Sequence, residues 1–219
     1  MSETLAAPET DFAALLQRDT CGKRKSDRTR ASLMAATCIL LADRTPDMLR
    51  VSDICNSAGV AHGTFYTYFS DMRRLLDALL QAFVAHVQQA MQAAGKTCTD
   101  DRVRATTALY VALFERNPGL MRCLVSGFDS FPEAAARFQA LNRAWAETVA
   151  DAASRKLARS GQSVPRDELL RRAHALGGMV DQYLVTLHFN RDAALAELSQ
   201  DREAVIQTLT YIWRRGMGE

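Results

Sequence analysis

Apolar residues recur at intervals of three and four through most of this 219-residue chain. That spacing places them along one face of an α-helix, whereas a half-buried strand alternates apolar and polar residues. The clearest stretch consists of Leu169, Ala173, Leu176, Val180, Leu184 and Leu187. No segment of the sequence shows a competing strand-like alternation. The sequence therefore predicts an all-α fold with about nine helices.

The helix boundaries follow from the residues that begin and end helices. The first helix begins at Lys25, continues for about five turns and ends before Pro46. A long helix begins with Ser70 or Asp71 as its N-cap, and Gly95 is expected to end it. The remaining helices are predicted over residues 51–58, 61–69, 101–116, 120–125, 133–160, 166–189 and 201–215.

The composition excludes several classes of protein. Hydrophobic residues make up 48% of the chain and charged residues 24%, which is typical of a globular protein. Five cysteines without a C-x-x-C pair argue against a disulfide framework and favour a reducing compartment. The sequence has neither a long apolar run nor a basic and then apolar N-terminus, so we expect a cytoplasmic protein without a membrane partner.

Recognised catalytic motifs are missing from the sequence. It contains no G-x-S-x-G, no H-E-x-x-H, no glycine-rich phosphate loop and no paired metal-ligand spacing. We therefore expect no enzymatic activity, no catalytic residue, no cofactor and no metal site.

Basic residues are concentrated in one part of the chain. Residues 22–75 contain nine lysines and arginines against five acids, whereas residues 1–21 carry a net charge of −3 and the remainder +1. This distribution indicates a small segment that binds a polyanion, joined to a nearly neutral body. Residues 1–22 lack sustained periodicity and are interpreted as a flexible arm, with or without contact to DNA.

Residues 51–69, VSDICNSAGVAHGTFYTYF, have the pattern of a helix-turn-helix. Gly59 allows the positive φ that the turn needs, and Val60, Phe65 and Phe69 point inward from the second helix. In this arrangement the second helix enters the major groove of DNA. The exposed residues that can reach base edges are His62, Gly63, Thr64 and Thr67, and the hydroxyls of Tyr66 and Tyr68 can donate to phosphate oxygens.

This segment resembles the tetracycline-repressor (TetR) family of bacterial transcriptional regulators. The family pattern I-A-x-x-A-G-V-S-x-G-T-F-Y-x-Y/H-F-x-x-K-x-x-L is matched by Ile54, Cys55, Ala58, Gly59, Val60, Gly63, Thr64, Phe65, Tyr66, Tyr68, Phe69 and Leu75. The resemblance implies a helix-turn-helix DNA-binding domain over residues 23–70 and an effector-binding and dimerisation domain over residues 71–219. The helix that begins near Asp71 is too long for a three-helix module and connects the two.

Three positions depart from the family pattern. Met72 stands where the family has lysine, and Arg50 and Ala61 stand where it has serine or threonine near the start of a helix. Arg50, Arg73 and Arg74 are candidates to restore the phosphate contacts, although a solvated surface role is an equal alternative for each arginine. The predicted DNA-binding residues are Lys25, Arg28, Arg50, Ser52, His62, Gly63, Thr64, Tyr66, Thr67, Tyr68 and Arg73.

The larger domain supplies aromatic residues and methionines from helices that, by the resemblance, surround an effector cavity. For each of these residues, the alternative to lining a cavity is ordinary packing in the hydrophobic core. His174 and His188, with Asp181 and Tyr183, are candidates to orient a polar group. The lining favours a small apolar or aromatic effector. The predicted effector-binding residues are Phe114, Met121, Leu124, Phe128, Phe138, Trp145, His174, Met179 and Tyr183.

The last two predicted helices, within residues 166–215, carry more than one apolar face, which favours a homodimer through them. Gly177 and Gly178 in the middle of a helix indicate either close approach of another helix or a kink. The resemblance implies that an effector tilts the connecting helix and moves the two DNA-binding heads off a palindromic double-stranded operator, most often as a repressor. The alternatives are a thiol-responsive regulator that uses Cys38, Cys55 or Cys123, and a non-specific DNA-binding protein.

Overall fold

The computed structural model describes residues 9–18, 24–97, 101–126 and 131–218. Over these residues the chain forms eleven α-helices and one short 3₁₀ helix, Pro46–Met48, with no strand, which confirms the all-α fold. The α-helices, in chain order, are α1 Phe12–Arg18, α2 Lys25–Leu41, α3 Val51–Ala58, α4 His62–Tyr68, α5 Met72–Thr97, α6 Arg102–Arg116, α7 Pro118–Ser126, α8 Pro132–Arg159, α9 Arg166–His188, α10 Ala193–Leu198 and α11 Arg202–Gly216.

Two of these helices, α1 and α10, were not predicted. Helix α1 lies in the segment interpreted as a flexible arm, so that interpretation is corrected for residues 9–18. The helix is held because Phe12 is buried with its ring centroid 5.3 Å from that of Phe83. In addition, the Oδ1 atom of Asn117 accepts a hydrogen bond from the Phe12 N–H at 3.0 Å. Residues 1–8 and 19–22 of the predicted arm lie outside the described residues.

The predicted end of the long helix at Gly95 is wrong, because α5 continues to Thr97. A glycine inside a helix costs about 1 kcal/mol relative to alanine but does not by itself end the helix. Here a Cβ atom at Gly95 would stand 4.0 Å from the Thr106 side chain, so the glycine lies beside α6 in an ordinary helical turn. Glycine ends a helix when it adopts positive φ, which Gly95 does not do.

The chain forms two compact units. The first contains the described residues of 1–90 and 112–135, and the second contains those of 91–111 and 136–218. Helices α5, α6 and α8 contribute to both units, so neither unit ends at the predicted boundary between residues 70 and 71. None of the described helices is long and apolar enough to cross a membrane.

In the first unit, helix α2 packs against α1, α3 and α7. The approach of α7 is closest at Gly119, where an added Cβ atom would lie 2.1 Å from the carbonyl oxygen of Leu41. No side chain fits at this distance, so the glycine sets how closely α7 can pack against the end of α2. The fully buried side chains of this unit include Leu33, Leu41, Ile54, Phe65, Phe83 and Phe114.

In the second unit, a core of alanines, leucines and one methionine joins α8, α9 and the end of α11. Helices α9 and α11 pack together, and a Cβ atom at Gly216 would lie 2.8 Å from a Leu176 methyl group. The buried residues of this core are Ala146, Ala150, Ala153, Leu157, Leu169, Ala173, Leu176 and Met217.

We expect Gly119→Ala to lower the free energy of unfolding by about 1–3 kcal/mol, the usual cost of overpacking. The new methyl group would meet backbone, which cannot rotate away. Gly63→Ala is the matched control, because a Cβ atom there meets nothing within 4 Å. Urea unfolding followed by circular dichroism measures both variants, and equal stability of the two would contradict the prediction.

Candidate DNA-binding and effector sites

The turn between α3 and α4 has the predicted left-handed glycine. Gly59 has φ 67° and ψ 34°, and its N–H donates to the carbonyl oxygens of the last turn of α3. The next residue, Val60, donates its N–H to the Cys55 carbonyl at 3.0 Å. These bonds end α3 and reverse the chain, and a residue with a Cβ atom would be strained at position 59.

One side of α4 is buried in the first unit. Phe65 is fully buried and Phe69 is buried just beyond the helix, with their ring centroids 5.9 Å apart. The Arg30 guanidinium of α2 lies 5.2 Å from the centre of the Phe69 ring, within the range of a cation–π contact. This packing fixes which face of α4 remains exposed.

The opposite side of α4 carries the predicted base-contacting residues. His62, Gly63 and Thr67 are exposed, and Thr64 is half-buried. The Tyr66 ring is 53% exposed and its centroid lies 5.5 Å from that of His62, one turn earlier. The structure therefore brings these polar groups together on a single accessible surface of a short helix.

Five of the remaining predicted DNA-binding residues lie at helix N-termini of the first unit, and Tyr68 is the last residue of α4. Lys25 and Arg28 are in the first turn of α2, Arg50 and Ser52 are at the start of α3, and Arg73 is in the first turn of α5. All five are exposed, whereas Tyr68 is half-buried. Among the residues that the structure describes, no carboxylate forms an ion pair with Lys25, Arg28, Arg50 or Arg73.

A contact that the sequence did not reveal stabilises the same region. Arg44, after α2, donates from its guanidinium to the Asp53 carboxylate of α3 at 2.6 Å. The nine-residue separation between them follows no helical spacing, so only the folded structure identifies the pair.

The helix N-termini reflect the departures from the family pattern. Arg50 and Ala61 occupy the N-cap positions of α3 and α4, and neither side chain accepts a capping hydrogen bond. Asp71 does cap α5, because its carboxylate accepts from the Arg74 N–H at 2.9 Å and from the Ser70 hydroxyl at 2.9 Å. The Arg74 bond, followed by the Ser70 bond, holds the pKa of Asp71 below its usual value.

The predicted effector-binding residues are divided between the two units. Phe114, Met121 and Leu124 are buried in the first unit, and Phe138 is buried in the second. Trp145, Met179 and Tyr183 are half-buried in the second unit. His174 differs from the expectation, because it is on the exposed face of α9 and is not part of an interior lining. Phe128 lies outside the described residues.

The second unit contains one polar contact at the centre of α9. The Tyr110 hydroxyl of α6 donates to the Oδ1 atom of Asp181 at 2.6 Å. Burial raises the pKa of Asp181 to about 6 and, with the Asp181 charge, raises the pKa of Tyr110 above its ordinary value. Tyr110 was not predicted from the sequence, since its partner is 71 residues away. The Tyr183 hydroxyl is 2.8 Å from the Ser199 hydroxyl, so Tyr183 pairs with the segment after α10.

The three described cysteines are packed in the first unit. Burial raises the pKa of Cys38 to about 12 and that of Cys123 to about 11, and burial also raises the pKa of Cys55. These thiols remain protonated near neutral pH, whereas the thiolate is the reactive form. The geometry favours a packing role over a thiol switch.

A helix, a left-handed glycine turn and a second helix with an exposed polar face define a helix-turn-helix DNA-binding protein. In agreement, residues 33–79 match the family described as bacterial regulatory proteins, tetR family. The helix-turn-helix segment is therefore that of the TetR family of DNA-binding transcriptional regulators.

Three similar proteins have recorded functions. The nucleoid occlusion factor SlmA of Vibrio atlanticus is 26% identical over 71% of this chain and 82% of its own. The transcriptional activator FasR of Mycolicibacterium smegmatis is 26% identical over 59% of this chain and 60% of its own. The fold is similar to that of FadR from Bacillus subtilis in complex with stearoyl-CoA, with a TM-score of 0.60 and 17% identity over 82% of this chain and 96% of that one.

We expect Ala61→Ser to raise the free energy of unfolding by about 1 kcal/mol, because a serine hydroxyl can accept one of the unpaired N–H groups of the first turn of α4. Ala152→Ser is the control, since Ala152 is exposed within α8 and serine there lowers helix propensity slightly. Thermal unfolding of both variants measures the difference, and a loss of stability in Ala61→Ser would contradict the capping argument.

Proposed function

We propose that this protein is a repressor that binds a palindromic operator as a homodimer and is released by a small apolar or aromatic effector. The observation that carries the proposal is the exposed polar face of α4, held by the Gly59 turn in a unit that also carries exposed cations without ion-pair partners among the described residues.

Each group in this surface has a chemical role in the proposal. His62, Gly63, Thr64 and Thr67 face base edges in the major groove. Tyr66 and Tyr68 donate their hydroxyls to phosphate oxygens, which fixes the register of the helix. The flanking groups that contact phosphates are Lys25, Arg28, Arg50, Ser52 and Arg73.

The proposed dimer forms through α9 and α11. Gly178 is exposed, and added Cβ atoms at Gly177 and Gly178 would meet nothing within 4 Å of the same chain. Tyr211 on α11 is 60% exposed, which is unusual for a large aromatic residue. A second copy packed on this surface supplies the close helix approach that a glycine pair allows. Two-fold symmetry of the dimer then requires a palindromic operator.

We infer that an effector acts on DNA binding through the packing of the first unit. Asn117, between α6 and α7, accepts from Phe12 N–H and donates to the carbonyl oxygens of Thr10 and Leu113. Helix α1 and Gly119 of α7 both pack on α2, and α2 packs on α3. A shift of the α6–α7 corner therefore reaches the helix-turn-helix through α2. Each tenfold loss of operator affinity requires about 1.4 kcal/mol of preference for the released state.

An apolar effector is supported by the character of the buried residues and by the similar fold of FadR, whose structure contains stearoyl-CoA. The sign of regulation has its own test, because one relative of this chain is named an activator. A reporter gene downstream of the operator distinguishes the two signs. Deletion of this protein raises expression if it represses and lowers expression if it activates.

Footprinting on the DNA upstream of its own gene, at fixed salt, tests operator binding. We expect a protected palindrome, and we expect Tyr66→Phe to weaken binding by about threefold to tenfold, the value of one lost hydrogen bond. Thr148→Val is the control, since it removes an exposed hydroxyl from α8, outside both the helix-turn-helix and the proposed dimer surface. Protection of DNA without a palindrome, or an equal loss in both variants, would contradict the proposal.

Gly178→Arg tests the dimer. The new side chain has space within one chain but collides with a second copy at the proposed interface, so we expect a folded monomer with weak operator binding. Ala152→Arg, at an exposed position of α8, should remain dimeric. Sedimentation velocity measures the oligomeric state. A dimeric Gly178→Arg variant would place the interface elsewhere.

A further inference from the structure

Helix α1 is held by three separate parts of the first unit. The Phe12 ring is 3% exposed, and its centroid lies 5.3 Å from that of Phe83 and 5.3 Å from that of His86, both on α5. Asn117, buried between α6 and α7, accepts from the Phe12 N–H at 3.0 Å and donates to the Thr10 carbonyl at 2.7 Å. Helix α1 also packs on α2. It therefore joins α2, α5 and the α6–α7 corner.

His86 is the polar group in the contact between α1 and α5. Its Nε2 atom is buried and has no hydrogen-bond partner in the part of the chain that the structure describes. The imidazole also forms a hydrogen bond to the Glu9 backbone, just before α1. A neutral imidazole has one N–H donor and one bare nitrogen, whereas the protonated ring has two donors. The contact therefore suits the neutral ring.

Protonation of His86 is unfavourable while α1 is in place. The proton on Nε2 would lack an acceptor, and an unpaired buried donor is costly, more so when it is charged. Burial lowers the pKa of His86, and the opposing effects of the Glu9 backbone and the Glu9 charge do not cancel that shift. Among the described residues, Glu9 is the one charged group that acts on His86, and its carboxylate pairs with Arg18 at 2.6 Å.

The direction of the pH dependence follows from the lowered pKa of His86. The ring binds a proton less readily when α1 is docked than when α1 is released. Docking is thus fully stable above the ordinary histidine pKa of about 6.5 and weakens as the pH falls below it. At pH 5.5, one unit lower, the released form is favoured by up to about tenfold more than at neutral pH.

We propose that α1 is a proton-sensitive strap, held by neutral His86 and released when His86 is protonated, and that its release lowers operator affinity. Helix α2 supports α3, and α3 supports α4. Without α1, α2 loses the contact that joins it to α5 and Asn117, so the orientation of α4 is less fixed before DNA binds. Ordering a binding surface during association lowers affinity. The strap adds protons as a second input beside the proposed effector.

Hydrogen exchange of the full-length protein, measured by mass spectrometry at pH 7.5 and 5.5, tests the release. After correction for intrinsic exchange rates, we expect protection of residues 12–18 to fall threefold to tenfold at pH 5.5, and protection of α11 to stay unchanged. His86→Gln cannot be protonated and should remove the difference. His174→Gln, which removes an exposed histidine from α9, should behave as the wild type does.

Three results of the exchange measurement would overturn the strap. They are unchanged protection of α1 at pH 5.5, an equal fall in His86→Gln, and an equal fall in α11. Phe12→Ala keeps the test valid if His86→Gln fails to fold. This variant removes the ring that His86 contacts, so α1 should be poorly protected at both pH values. A fall as large as that of the wild type in Phe12→Ala would also contradict the proposal.

Fluorescence anisotropy with the DNA fragment protected in footprinting tests the effect on the operator. The wild type and His86→Gln should bind equally at pH 7.5, and the wild type should bind at least twofold more weakly at pH 5.5. Both proteins have the same α4, so direct effects of pH on the DNA contact cancel in this ratio. Equal affinities at both pH values would overturn the link to the operator. A protein that protects no DNA would fail the proposed function instead, and the exchange measurement would still decide whether α1 is released.

Discussion

The packing of α2 is the constraint on which the DNA-binding region depends. Helices α1, α3 and α7 all rest on it, and the backbone of α7 approaches so closely at Gly119 that no side chain can intervene. Since α3 packs on α2 and α4 packs on α3, the orientation of the exposed face of α4 is set by the position of α2. A regulator needs such an arrangement, because a recognition helix that moved independently of the body could not be controlled from it.

The parts of the fold that the sequence predicted are those determined by local pattern. The helix-turn-helix is one, because the Gly59 turn and the inward Phe65 and Phe69 are encoded within 20 or so neighbouring residues. Helix α1 is the opposite case. Its burial depends on Phe83 and on Asn117, which is 105 residues from its partner Phe12, and no local signal in residues 1–22 records those contacts. Gly95 was misinterpreted for a related reason, since the sequence shows the glycine but not its ordinary helical φ.

The residues of the candidate sites also separate into those that the local sequence predicts and those that only the fold brings together. The exposed residues of α4 were predictable, because one buried face of a short helix determines the other. The effector-binding residues come from several helices, and helical periodicity identifies an apolar face without identifying which neighbour covers it. His174 illustrates this limit: it is one residue off the apolar stripe of α9, which runs through Ala173 and Leu176, and the structure places it outside. Tyr110 and Asp181 are the opposite case, because they form a contact that was not predicted. They are 71 residues apart in the sequence, and no motif indicates that they meet.

The Asp181 carboxylate also bears on how an effector could do regulatory work. Binding alone does not release DNA, because a ligand shifts an equilibrium only by the difference in its affinity for the two states. The Tyr110–Asp181 hydrogen bond stabilises any conformation that holds α6 and α9 together. It contributes to release only to the extent that the distance between α6 and α9, and hence the Tyr110 hydrogen bond, differs between the DNA-bound and released states. The Asp181–Tyr110 bond thus joins α9 to α6, and the last residue of α6, Arg116, directly precedes Asn117, whose side chain holds α1.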